Sequence, residues 1–331
     1  MPDGGRERLL EARHLRKIFP VKTGFGKPSA RLQAVDGVDF AIRRGEVFSL
    51  VGESGCGKST LGRVVLNLLP ATEGQVLYRG RDVASLPSAE MRALRAKMQI
   101  VFQDPYSSLN PRMRVLDILA EPFLTHRVAR GRAELTRLAA ALLEKVGLRP
   151  EALSRFPHEF SGGQRQRIGI ARAIALNPEL IVCDEPLSAL DVSIRSQAIN
   201  FLLELKEQMQ LTYLFISHDL SVVRYISDRI CVMYLGKIME IGTSEEVFGD
   251  PLHPYTQSLI ESVPIPDPRM RGRKRTLPRG DLPSAIDPPS GCRFRTRCPI
   301  AREICAASEP TPPYENIHSA ACHFARRGGS S

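Results

Sequence analysis

Gly52-Glu53-Ser54-Gly55-Cys56-Gly57-Lys58-Ser59-Thr60 follows the apolar run Val47-Phe48-Ser49-Leu50-Val51 and precedes Leu61, Val64, Val65, Leu68 and Leu69. The nine residues fit G-x-x-x-x-G-K-[ST], with a β-branched strand running in and helical apolar spacing running out until Pro70 stops it. Glycines at these positions let successive N–H groups turn inward at a helix N-terminus, where the helix dipole also favours an anion. The stretch is therefore expected to bind phosphate, with Lys58 reaching the β- and γ-phosphates and Ser59 giving its hydroxyl to Mg²⁺.

Working outward, residues 9–19 and 32–51 are expected to form short strands, separated by a loop over 22–28. Phe19 stands where it would either stack on a base or pack in a core. Downstream, a strand over 75–80, a polar helix over 88–95 and a strand over 98–102 follow, the last bringing Gln103 to its C-terminal tip. Ligands collect at that edge of parallel α/β sheets. From 108 to about 172 the pattern is helical, with Leu135, Leu138, Leu142, Leu143 and Val146 on one apolar face ended by Gly147. Ser161-Gly162-Gly163-Gln164 opens a further helix, and a serine in N-cap position makes this a second helix end facing an anion. One nucleotide does not need both ends from one chain.

Leu180 to Asp184 predicts a buried strand whose tip carries two carboxylates, Asp184 and Glu185. A core strand has no packing use for paired acids, so Asp184 is assigned to the Mg²⁺ shell and Glu185 to polarising the attacking water. Ser188-Ala189-Leu190-Asp191 turns into a helix with Ile194, Ala198, Leu202, Leu205 and Met209 inward. The strand over 213–216 then ends near His218, expected on the same edge as Lys58, Gln103 and Glu185 and in contact with the γ-phosphate. A hairpin over 230–241 closes the first domain near Gly249.

The 331 residues, 43% hydrophobic and 25% charged, have the composition of a soluble globular protein with room for two domains. No apolar run reaches the roughly 18 residues of a membrane span, and the N-terminus lacks the apolar core of a secretory signal, so a cytosolic location is expected. Part of the net charge of +10 is local: Arg269, Arg271, Arg273, Lys274, Arg275 and Arg279 lie in a proline-rich stretch that reads as a solvated linker. No aromatic residues interleave with them as in single-strand binders, so nucleic acid is not an expected partner. Cys56, Cys183 and Cys231 are scattered, whereas Cys292, Cys298, Cys305 and Cys322 follow as C-x5-C-x6-C-x16-C. In a cytosolic chain that cluster suggests metal rather than disulfides. Its wide gaps suit a [4Fe-4S] cluster at least as well as Zn²⁺, with free thiols the third reading and His318 and His323 as substitute ligands.

The order phosphate loop, Gln103, Ser161-Gly162-Gly163-Gln164, Asp184-Glu185, Ser188 to Asp191, His218 resembles the ATP-binding cassette ATPases of ABC transporters over roughly residues 8 to 250. The resemblance implies an α/β P-loop NTPase (RecA-like) core with an antiparallel β subdomain and a helical signature subdomain at about 104–172. Two cassettes would close head to tail on two ATP molecules, each held between one phosphate loop and the partner's signature segment. By carry-over, Phe19 stacks on adenine, Gly52 to Thr60 with Gln103 and Asp184 bind ATP, and Ser59, Gln103 and Asp184 hold Mg²⁺. Glu185, His218, Gln103 and Lys58 would be the catalytic set, while Ser161, Gly162, Gly163 and Gln164 would serve the partner's ATP. Phe160 replaces the commoner leucine before the signature and is expected to pack.

A narrower resemblance rests on Gln103 to Pro111, Pro157-His158-Glu159-Phe160, Leu252-His253-Pro254-Tyr255-Thr256 and Gly291 to Pro299. These are similar to the oligopeptide/dipeptide importer ATPases, most of all their F-type subunit. That implies an ATP-hydrolysing motor subunit, peripheral on the cytoplasmic face of the inner membrane, with a D-type ATPase, two permeases and, indirectly, an extracytoplasmic peptide-binding protein as partners. It also implies a nucleotide-binding domain over 1–250 and a proline- and cysteine-rich C-terminal domain over 251–331, with [4Fe-4S] at Cys292, Cys298, Cys305 and Cys322 and Zn²⁺ as the alternative. The rival functions are import of another cargo such as nickel, and a soluble cassette ATPase acting on nucleic acid or ribosomes.

Overall fold

The computed structural model describes residues 7–21, 30–104, 108–188, 191–263, 280–311, 313 and 318–325. The expected loop over 22–28, Pro105 to Ser107, Ala189-Leu190, the basic stretch 269–279 and the Ile194 side chain lie outside the described residues. The strands are β1 (Arg8–Val21), β2 (Ala30–Arg43), β3 (Val47–Val51), β4 (Glu73–Tyr78), β5 (Arg81–Asp82), β6 (Met98–Val101), β7 (Leu180–Asp184), β8 (Thr212–Ser217), β9 (Arg229–Tyr234), β10 (Lys237–Thr243) and β11 (Ser319–Ala320). The helices are α1 (Lys58–Val65), α2 (Ser88–Lys97), α3 (Val115–Thr125), α4 (Arg132–Lys145), α5 (Gly162–Ile174), α6 (Val192–Met209), α7 (Leu220–Ile226), α8 (Ser244–Gly249), α9 (Pro254–Ser262) and α10 (Ile304–Ala307). They fall into two compact units, Met1–Ala84 with Ser217–Ser331, and Ser85–Ile216.

In the first unit an antiparallel sheet has the order β2-β1-β4-β5, and a second group runs β11-β10-β9-β3 with β3 parallel to β9. β1 and β2 are 14 residues each, longer than the short strands their composition suggests, because their pairing extends from Arg8↔Arg43 to Val21↔Ala30 through four register shifts. Two tight hairpins have both central residues left-handed, Arg79-Gly80 (φ 48°, 76°) and Leu235-Gly236 (φ 43°, 82°), which matches the natural twist of the flanking strands. α1 ends at Val65, earlier than the apolar spacing up to Pro70 predicts. Asn67 adopts φ 52°, and the Asn67 and Leu68 amides donate back to Val64 O and Arg63 O at 2.9 Å each, closing the helix in a left-handed cap. Leu68 is left half exposed.

The described C-terminal segment is built into this same unit. Tyr234 of β9, Tyr255 of α9 and Phe294 are fully buried, with ring centroids 4.7 Å apart for Tyr234–Tyr255 and 5.4 Å for each contact with Phe294. Their angled rings combine large apolar burial with favourable quadrupole geometry. Beside them the buried Glu240 carboxylate accepts the Leu252 and His253 amides at 2.9 and 2.8 Å and pairs with His318 Nε2 at 2.9 Å.

In the second unit β8-β7-β6 are parallel neighbours, and every residue of β7 and β8 is buried. α4 buries Ala139, Leu142 and Leu143, and Val146 completes that face before Gly147 turns at φ 70°. Leu135 and Leu138 are only half-buried. α6 buries Ile199, Leu202 and Leu205, and Tyr213 Oη donates to Leu202 O at 3.0 Å, tying the helix to β8.

His253 caps α9 by accepting the Tyr255 amide on Nδ1 at 3.0 Å. Burial drives its pKa from 6.5 down to about 4, against the smaller upward pull of Glu240. Between those values the unfolded chain takes up a proton that the folded chain refuses, so stability falls as pH drops through this window. Urea unfolding near pH 5 should show a loss of about 2 kcal/mol from this group relative to pH 7. The pH dependence of His253→Asn, which keeps a capping acceptor but no titration, should be shallower by that amount.

Candidate functional site

The loop between β3 and α1 is shaped by close backbone approach. A Cβ on Gly52 (φ 152°) would stand 2.1 Å from Met233 O, and one on Gly57 (φ 109°) 2.0 Å from Ala34 O. Both distances forbid any side chain. Gly55, at φ 79°, has open space around it and is required by its conformation alone. Gly57 begins α1 and leaves the first-turn amides without a side-chain cap. Lys58 is 4% exposed, and its ammonium donates to Gly52 O at 2.8 Å and Glu53 O at 3.0 Å. Cys56 Sγ is 3.9 Å from that nitrogen, and burial raises its pKa more than Lys58 lowers it, so it stays a thiol. Ser59 and Thr60 follow in the first turn of α1. Phe19 is half-buried near the end of β1, with Lys17 Nζ 5.1 Å above its ring centre. The loop thus combines a glycine-dependent turn, first-turn amides without a side-chain cap and a buried lysine, the chemistry that suits a phosphate.

In the second unit, Asp184 ends β7 and is 2% exposed, and Glu185 follows it at φ 47°, a left-handed conformation unusual for a glutamate. Its amide donates to Ile216 O at 3.0 Å, and its carbonyl accepts both the amide and the hydroxyl of Ser188, at 3.2 and 3.0 Å. The carboxylate receives the Gln103 amide nitrogen at 2.9 Å, so these two expected site residues meet. His218, in the first unit, is exposed just after β8. The turn that presents it is set by Ser217 Oγ, which accepts the Asp219 amide at 3.0 Å, and by Asp219, which caps α7.

Ser161 caps α5 as expected. Its hydroxyl accepts the Gln164 amide at 3.3 Å, and the Gln164 side chain accepts the Ser161 amide at 3.1 Å, a reciprocal capping box. Gly162 and Gly163 occupy the intervening first turn, and Phe160 is buried. A cavity of about 330 Å³ opens beside this helix end, lined in part by Ser161, Gly163, Gln164 and Gln166. Gln166 is 3% exposed, and its amide nitrogen has no hydrogen-bond partner among the described residues. The sequence reading passed over Gln166 because nothing local marks its orientation.

Within the C-terminal segment the Cys292 amide donates to Cys305 O at 2.8 Å. Burial pushes the Cys292 thiol up to about 11, with further upward contributions from Cys305, Cys322 and Cys298. Burial, then the neighbouring thiols, raises Cys298 and Cys322 as well. Among the described residues, however, no three or more His, Cys, Asp or Glu side chains form a metal-holding group. The two histidines considered as substitute ligands have other partners: His318 pairs with Glu240, and His323 Nε2 bonds Ser308 O at 3.0 Å.

The sequence reading also missed the arginines flanking these cysteines. Arg297 Nη1 lies 3.0 and 2.9 Å from the two carboxylate oxygens of Glu53, and Tyr255 Oη accepts the Glu53 amide at 2.9 Å. Arg293 bonds Gln33 Oε1 at 2.7 Å and Asp36. Burial raises the Asp36 pKa, but Lys237 and Arg293 together outweigh it and hold the carboxyl below its usual value. The alternation Cys-Arg-Phe-Arg-Thr-Arg-Cys at 292–298 was the available signal, with Arg293 and Arg297 meeting acids and Arg295 bonding Ser290.

The ABC transporter family model matches residues 35–188, and the model for the oligopeptide/dipeptide transporter C-terminal region matches 239–305. The chain is 52% identical to the oligopeptide transport ATP-binding protein AppF of Bacillus subtilis, covering 98% of this chain and 99% of that one. It is 50% identical to the oligopeptide transport ATP-binding protein OppF of Escherichia coli, covering 96% of both. Among solved structures, it is similar to cbiO1 from Clostridium perfringens, part of the ABC transporter complex cbiONQ, at TM-score 0.62 and 25% identity over 74% of this chain and 92% of that one. A dimeric ATP-binding cassette in a post-hydrolysis state bound to ADP and Pi matches at TM-score 0.63 and 28% identity, over 71% of this chain and 98% of that one.

Gly57→Ala tests the cradle. The added methyl would meet Ala34 O and take a backbone conformation that alanine resists, so nucleotide affinity should fall by at least about tenfold. Equilibrium dialysis with ATP measures it, and unchanged affinity would count against the loop as the phosphate site.

Proposed function

The chain belongs to the ABC transporter ATPase family, and on that premise we propose that it is the ATP-hydrolysing motor subunit of a peptide importer of the oligopeptide/dipeptide class. The observation that carries this reading is near-full-length identity of about half to oligopeptide transport ATP-binding proteins, extending through the C-terminal region. No helix among the described residues is long and apolar enough to cross a membrane. In this reading, carried by the likeness to oligopeptide transport ATP-binding proteins, the subunit acts from the cytoplasmic face of the inner membrane through permease partners. Those partners are two permeases fed by an extracytoplasmic peptide-binding protein, with a D-type ATPase completing a heterodimer. Cargo choice belongs to the permeases and the binding protein.

Each residue has a role in this reading. Gly52 to Thr60 wraps the phosphates, Lys58 neutralises their charge, and Phe19 stacks on adenine. Ser59, Gln103 and Asp184 supply hydroxyl, amide and carboxylate oxygens, the hard donors that suit Mg²⁺. Mg²⁺ held by these oxygens would offset the charge that develops on the phosphates. Glu185 takes the proton side of water attack, and His218 bonds the γ-phosphate. The Gln103–Glu185 hydrogen bond supports this pairing, because the amide orients the carboxylate. Ser161 to Gln164 serves the partner's ATP, and ATP contacts made only in the closed dimer would drive closure, since a ligand shifts an equilibrium only by its differential affinity. The domain limits that go with this reading are 1–250, with the helical subdomain at about 104–172, and 251–331.

The same proposal gives Cys292, Cys298, Cys305 and Cys322 to a [4Fe-4S] cluster, with Zn²⁺ as the alternative occupant. What supports a shared occupant is the sequence pattern, four sulfur donors in one segment, a set that suits either; the described side chains are not gathered into a metal-holding group. Anaerobic purification followed by iron, acid-labile sulfide and zinc analysis should find about four irons and four sulfides per chain. Zinc in their place selects the alternative, and neither metal refutes the assignment.

Glu185→Gln should keep ATP binding but lower turnover of the assembled importer at least about a hundredfold, accumulating the closed dimer. Turnover at the wild-type rate would remove Glu185 from the catalytic role.

A further inference from the structure

Glu53 is a carboxylate inside a loop whose chemistry favours anions, and this is electrostatically the wrong sign. A bare negative charge there repels the phosphates that Lys58 attracts. The structure answers it from the far end of the sequence. Arg297, with its side chain only 11% exposed, directs one guanidinium nitrogen at both Glu53 oxygens and rests 5.8 Å from the Tyr234 ring centre. Tyr255, fully buried, takes the Glu53 amide, and the Glu53 carbonyl takes the Lys58 ammonium. Every polar group of Glu53 is therefore engaged, two of the three by the C-terminal segment.

We infer that Arg297 is a positioning residue for nucleotide binding: it neutralises Glu53 and fixes the backbone carbonyl on which Lys58 rests. The cysteine-bearing loop that carries Arg297 is anchored independently by Arg293 on Asp36 and Gln33 of β2. β2 also contributes the Ala34 carbonyl that Gly57 approaches. The loop over 292–298 thus meets the phosphate loop through Arg297 and the strand packed against that loop through Arg293. The segment does not touch the nucleotide in this scheme; it sets the charge and shape of the loop that does. The inference rests on the reading of Gly52 to Thr60 as the phosphate site.

The test is direct ATP binding to the purified full-length chain with Mg²⁺, with thermal melting of each variant as the folding control. Arg297→Ala should weaken ATP binding about tenfold by exposing the Glu53 charge. Adding Glu53→Gln to Arg297→Ala should bring Kd back to within about threefold of wild type, because the isosteric amide removes the repulsion. Arg297→Lys should fall between, since it keeps the charge but loses the planar guanidinium. Unchanged Kd in Arg297→Ala overturns the inference. So does a weakened Kd that Glu53→Gln fails to restore, which would make the contact merely structural. If Arg297→Ala does not fold, Arg297→Gln with and without Glu53→Gln makes the same comparison. Lys58→Ala separates this inference from its premise: if that variant binds ATP like wild type, the phosphate-loop reading itself fails, whatever Arg297 does.

Discussion

Lys58 is a buried cation whose ammonium rests on two carbonyl oxygens of its own loop, and much of the first unit is arranged to make that tolerable. Removing an ammonium from water is costly unless polar groups replace the water. Gly52 and Glu53 offer their carbonyls only if the chain turns sharply out of β3, and that turn brings Gly52 hard against Met233 O and Gly57 against Ala34 O. The strand before the loop is fully buried and paired with β9, so it cannot shift to relieve the crowding. Rigidity of this kind suits a site that must meet a highly charged ligand without reorganising, because donors fixed in advance lose little on binding.

The second unit solves a different problem by local means. Glu185 holds a left-handed backbone, and its neighbours fix it from both sides: Ile216 accepts its amide, Ser188 bonds its carbonyl, and Gln103 bonds its carboxylate. Strain at one residue is sustained by three partners drawn from separate segments. α5 needs no strain, because Ser161 and Gln164 cap each other and leave the glycines between them bare.

Features encoded within a few consecutive residues were legible in the sequence. The phosphate loop, the Ser161 cap, the acid pair ending a buried strand and the Gly236 turn each carry their cause in neighbouring side chains. The early end of α1 at Val65 was not legible, since leucines at 68 and 69 continue the helical spacing while Asn67 breaks it by backbone conformation alone. The length of β1 and β2 was hidden because pairing, rather than composition, sets where a ribbon stops. Least legible were the bonds from Arg297 and Tyr255 to Glu53. No periodicity links residues so far apart, and only the fold shows which acid each arginine meets.

The Glu53–Arg297 contact spans 244 positions along the chain. A ribosome adding about 5–20 residues per second makes the phosphate loop roughly 10–50 s before the arginine that completes its surroundings. The Tyr255 hydroxyl that accepts the Glu53 amide comes earlier, 202 positions after it, so the carboxylate is the last polar group of this residue to gain its partner. A chain cut short of residue 297 lacks the guanidinium that meets the carboxylate of this loop.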